Sequence, residues 1–70
     1  MQVNTRKIVG RIAELGLTGD AVAKEIGVNP ATYYRKMAGG GRKFTIEQVQ
    51  RLSELLHFTK DEAISIFFAE

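Results

Sequence analysis

The sequence contains no cysteine, which excludes a disulfide scaffold and thiolate metal sites and makes a reducing compartment the expectation. Histidine occurs once, as His57, so no second imidazole or thiolate can join it in a metal site or a catalytic pair. Its place near the end of a helical segment suits a cation facing the helix dipole. No apolar run approaches the roughly 20 residues needed to cross a bilayer, and the opening MQVNTRKIVG lacks the apolar core of a signal peptide. A soluble intracellular protein without a membrane partner is therefore expected. Linkers, repeats and low-complexity tracts are missing, and no strand-like alternation lasts more than a few residues. The carboxylates Glu14, Glu25 and Glu54 fall on outward helical positions with no pairing suited to acid–base work. Neither an enzyme nor a cofactor is expected. With 70 residues, 44% of them hydrophobic and 26% charged, the chain has the make-up of one globular domain spanning 1–70. A domain of that size has little room for a deep pocket and gains from a partner or a second copy.

Charge is unevenly spread. The net charge is +2, but residues 29–51 carry five basic side chains against one acidic, whereas residues 52–70 carry one basic against four acidic. A basic middle beside an acidic end indicates two differently used faces.

Turn signals divide the chain into five short segments, each with helical spacing of apolar residues. The first, about Asn4 to Leu15, puts Ile8, Ile12 and Leu15 on one face and ends at Gly16. The second, about Gly19 to Ile26, follows Thr18 as N-cap, turns Val22, Ala23 and Ile26 inward and ends at Gly27. The third opens at Asn29-Pro30, a favoured cap followed by a residue preset for the first helical position, and runs to Met37 or Ala38. The fourth opens with a capping box, Thr45 and Gln48, with Phe44 placed to staple onto Val49 and a stripe of Ile46, Val49, Leu52, Leu55 and Leu56. The fifth opens with a second box, Thr59 and Glu62. The expected fold is all-α, with five short helices.

Only Gly27 and Val28 separate Ile26 from the cap Asn29. So short a turn makes the second and third helices cross steeply, as in a helix-turn-helix, and leaves the third helix facing outward, sized for the DNA major groove. The run Gly39-Gly40-Gly41 lacks the strand and the Lys-Ser/Thr of a phosphate-binding loop and reads as a flexible connector.

On these residues, LTGDAVAKEIGVNPATYYRKMAGG over 17–40 resembles the helix-turn-helix of lambda-repressor-like, Cro/CI-type phage regulators. GGRKFTIEQVQRLSELLHFTKDEAISIFF resembles the family's fourth and fifth helices. The likeness covers about residues 4–68 and is nearest to short regulators of Gram-positive phages. It implies a cytoplasmic protein of a bacterial host cell. It also implies base contacts from the start of the third helix and a turn beyond: Asn29, Pro30, Ala31 and Arg35, with Tyr34 beside them. Asn pairs bidentately with adenine, Arg with guanine, and an Ala methyl meets a thymine methyl. Thr32 is within reach of a base or a phosphate. Phosphate contacts would come from Arg42, Lys43, the helix start at Thr45, and Lys36. Tyr34 reads equally as a DNA contact or as plain surface, and Tyr33 as core. The chain departs from the family at Gly19, often Gln; at Pro30 and Ala31, often polar readers; and at Lys36, usually apolar.

The tail holds Ile64, Ile66, Phe67 and Phe68, which cannot all face one side of one helix. At least two should close the core, leaving the others as a partner surface for a second copy of the chain or for another protein. The resemblance implies a Cro-like transcriptional regulator that binds double-stranded operator DNA at a lytic–lysogenic switch. The alternative is an antirepressor with the same fold that binds a partner repressor, which the hydrogen-bond-poor Pro30-Ala31 pair and the apolar tail favour. A toxin–antitoxin antidote ranks behind both, because no toxin-binding extension is recognisable.

Overall fold

The computed structural model describes residues 3–68. Five helices follow in order: α1 (Thr5–Glu14), α2 (Gly19–Glu25), α3 (Pro30–Ala38), α4 (Ile46–Leu55) and α5 (Lys60–Phe67). The described residues contain no strand, and the fold is the expected all-α one. The expected caps carry it. Thr18, Asn29, Thr45 and Thr59 each accept a backbone N–H of the first turn they precede, and both capping boxes are complete. Asn4 caps α1 in the same way.

The first four helices end alike. Leu17, Val28, Gly41 and Phe58 donate backbone hydrogen bonds of 2.9–3.0 Å to Ile12, Ala23, Lys36 and Ser53, closing a Schellman turn each time. The residue that turns the chain is a glycine in three of them, Gly16, Gly27 and Gly40, and His57 in the fourth, with φ of 57°. The glycine run is thus an ordered turn and not a loose connector. Leu17, Val28 and Phe58 then fold back onto the core.

That core takes Ile8 and Ile12 from α1, Val22, Ala23 and Ile26 from α2 and its end, Leu52 and Leu56 from α4 and its end, and Ile66 and Phe67 from α5. Burying each large aliphatic chain contributes about 1.5–3 kcal/mol. α3 contributes Tyr33 alone among fully buried side chains, and most of the helix stays at the surface. Two apolar positions differ from the sequence expectation: Leu15 and Ile46 lie at helix ends and are 40% and 68% exposed.

Arg11 ties the two halves together. Its guanidinium donates to the carbonyls of Leu56 (2.7 Å) and His57 (3.3 Å), pairs with Glu62 (3.1 Å) and lies over the Phe58 ring. The end of α4 and the start of α5 are thereby fixed to α1, while the N–H of Asn4 bonds the carbonyl of Ile66 at 2.8 Å.

Candidate nucleic-acid interface

α2 packs on α3 through the two-residue turn, with Gly27 at φ 82° and Val28 folded inward. The inner face of α3 is Tyr33, 2% exposed, its ring edge-on to Tyr34 at 5.2 Å and tilted to Phe44 at 6.3 Å. Burial pushes the Tyr33 phenol above its ordinary pKa, with a smaller push from Tyr34. The outer face, Ala31, Tyr34, Arg35 and Ala38, has the spacing of one helical stripe and is exposed throughout.

The side chains expected to read bases differ in what they have to offer. Arg35 is exposed and makes no ion pair or side-chain hydrogen bond among the described residues, so its guanidinium fork is available. Ala31 is exposed, and Thr32 is half-buried. Asn29 is committed: its Oδ1 accepts the N–H of Ala31 at 2.8 Å to cap α3. Bidentate pairing with adenine needs that same oxygen, so one of its two lone pairs already serves the cap and the amide NH₂ is the part left wholly free.

Tyr34 is half-exposed, and its hydroxyl donates to Asp20 Oδ1 at 2.9 Å. This bond to a carboxylate raises the phenol's pKa, with smaller upward contributions from desolvation and from the charge of Asp20. The ring lies against Gly19, where a Cβ would stand 2.8 Å from Tyr34 Cζ. Gly19 is therefore the counterpart of Tyr34, which fills the space a longer residue would need at the start of α2. The sequence offered no sign of the Tyr34–Asp20 pair, because fourteen positions separate the partners.

Arg42 and Lys43 are exposed in the turn after α3. Lys36 is half-buried, its ammonium donating to the Lys43 carbonyl at 2.8 Å and lying 5.8 Å from the Phe44 ring centroid. Thr45 and Gln48 close the capping box at 3.0 and 3.1 Å, so the Thr45 hydroxyl serves its own helix. Together α3 and its turn carry Arg35, Lys36, Arg42 and Lys43, and residues 29–46 contain no acidic residue. Such a surface attracts a phosphate backbone.

Among the described residues no group of His, Cys, Asp and Glu side chains could hold a metal ion. A cleft of about 570 Å³ opens between α1 and α5 and is lined by both signs of charge, including Lys7, Arg11, Asp61 and Glu62.

The pattern of the family described as antitoxin Xre-like helix-turn-helix domain matches residues 6–57, from within α1 to the end of α4. The chain belongs to this family. It is a DNA-binding transcriptional regulator of the Xre/Cro helix-turn-helix type. No curated protein and no solved structure matches the chain significantly.

In this Xre-like domain α5 lies beyond the matched stretch, and its apolar residues divide cleanly. Ile66 and Phe67 are 4% and 1% exposed and belong to the core, which removes them from the expected partner surface. Ile64 and Phe68, one turn apart, are exposed at 50% and 45%. The division follows from α5 lying against the rest of the domain along one face only. No helix of the described residues is long and apolar enough to cross a membrane.

Proposed function

We propose that this Xre-like domain is a repressor that lays α3 in the major groove of operator DNA. Arg35 reads a guanine, Ala31 lies against a thymine methyl, and the Asn29 amide donates to a base or phosphate acceptor. Arg42 and Lys43 grip phosphates on the flank. The observation that carries the reading is the outer stripe of α3, exposed along its length and followed by a basic turn. The whole of residues 1–70 acts as one domain, working in the bacterial cytoplasm, and a second copy docked through Ile64 and Phe68 sets two α3 helices on one site. The antitoxin description of the family favours an operon shared with a toxin as the setting. That raises the reading ranked last from sequence. The Cro-like role at a lytic–lysogenic switch of a phage uses the same face of α3.

The test is a gel shift on the intergenic DNA beside the gene over a range of salt. Affinity is expected to fall steeply as salt rises. Arg35→Ala should relax base preference at a cost of about 1–3 kcal/mol, while Arg42→Ala weakens all sequences alike and lowers the salt slope by about 1. Binding indifferent to salt, or to both substitutions, would refute the reading.

A second reading, an antirepressor that binds a partner repressor, is favoured by the engaged Asn29 acceptor, the donor-free Pro30-Ala31 pair and the exposed Ile64–Phe68 pair. It requires weak, unselective DNA binding, and co-purification with the repressor that is lost in Ile64→Glu/Phe68→Glu.

A further inference from the structure

Lys36 holds the chain on both sides of Arg42. Its backbone carbonyl accepts the N–H of Gly41 at 2.9 Å, and its ammonium donates to the carbonyl of Lys43 at 2.8 Å. The first anchor is rigid, because Gly41 is buried and a Cβ added there would stand 2.9 Å from Val3 Cγ1. That anchor is a main-chain bond and survives a change of side chain. The second depends on the ammonium alone. The lysine stem is half-buried, with its charged end near Phe44, so the group is led to the loop carbonyl while the stem lies along apolar surface.

We infer that Lys36 is a positioning residue for the phosphate-holding turn, acting on DNA through Arg42 and Lys43. The inference rests on the reading of those two side chains as phosphate contacts. The physical ground is ordering entropy. The turn contains two glycines with positive φ, Gly40 and Gly41, and is exposed at Arg42 and Lys43. A segment already held in its bound shape loses less freedom when it meets a ligand, and the saving appears as affinity. Lys36 thus supplies a bond to the turn that an apolar side chain could not make.

The test uses Lys36→Met, which keeps an unbranched stem beside Phe44 and removes the ammonium. In the free protein, nuclear magnetic resonance relaxation should report greater amide motion at residues 42–44, with the helices unchanged. Affinity for operator and unrelated duplexes should fall together, by roughly threefold to tenfold, the worth of one hydrogen bond. The double variant Lys36→Met/Arg42→Ala should lose clearly less than the product of the two single losses, because part of what Lys36 does passes through the Arg42 contact that the second substitution removes. Lys36→Arg should restore the order of residues 42–44. Losses that simply multiply would mean that Lys36 touches phosphate itself, and unchanged amide motion would mean that it does not hold the turn; either result overturns the inference. The relaxation measurement needs no DNA. If no duplex binds, the operator reading fails, while the anchor is still decided by the free protein.

Discussion

Single side chains at this interface are shaped by what already binds them. The Asn29 oxygen caps its helix, the Thr45 hydroxyl caps another, and the Tyr34 hydroxyl is given to Asp20. Arg35 alone among the expected base readers brings an uncommitted charged group, which is why its loss should alter preference most. Gly19 and Tyr34 give a direct check on the packing. In Gly19→Ala the new methyl group displaces the Tyr34 ring and breaks its bond to Asp20. The phenol should then titrate closer to its ordinary value near 10, followed by ultraviolet absorbance. The thermal midpoint should move little, since alanine's better helix propensity offsets the lost contact. A phenol still titrating high in that variant would show that the ring does not occupy this space.

The helices are set by their ends. Each begins at a side-chain cap, and the first four end in the same six-residue hydrogen-bonded turn, so their lengths follow from local hydrogen bonding more than from the core. The fourth turn is the strained one. His57 adopts a left-handed backbone with φ of 57°, where a side chain crowds the following carbonyl. His57→Gly should therefore stabilise the domain by about 1 kcal/mol, seen as a higher denaturant midpoint with unchanged slope. A lower midpoint would mean that the imidazole makes a contact worth more than the strain.

At the scale of the domain, the ionisable groups define how the fold responds to pH. Glu62 bonds the N–H of Thr59, and this bond, aided by Arg11, holds its carboxyl below the ordinary value of 4.5. Its folded pKa is depressed, so its contribution is present above about 4.5 and is lost as pH falls through the lower folded value. Tyr33 and Tyr34 have raised values, so theirs is present below about 10 and is lost as pH rises through the folded values. Thermal stability should show an acid limb, flattened by Glu62→Gln, and an alkaline limb, reduced in Tyr34→Phe. An acid limb untouched by Glu62→Gln would place the acid sensitivity elsewhere.

The starts of the helices, the glycine ends of α1 and α2 and the short α2–α3 corner were legible in the residues themselves, because caps, glycine turns and apolar periodicity involve neighbours within about six positions. The burial of Tyr33 and the exposure of Tyr34 were legible for the same reason: adjacent helical residues point about 100° apart. What needed the folded chain was every contact between elements. Tyr34 meets Asp20 over Gly19, Arg11 meets the end of α4, Lys36 reaches the turn beyond its helix, and Ile66 and Phe67 turn inward while Ile64 and Phe68 do not. Periodicity says which residues share a face, but the neighbouring helix decides which face is covered. Side-chain atoms far apart in the chain acquire partners only once those helices are in place.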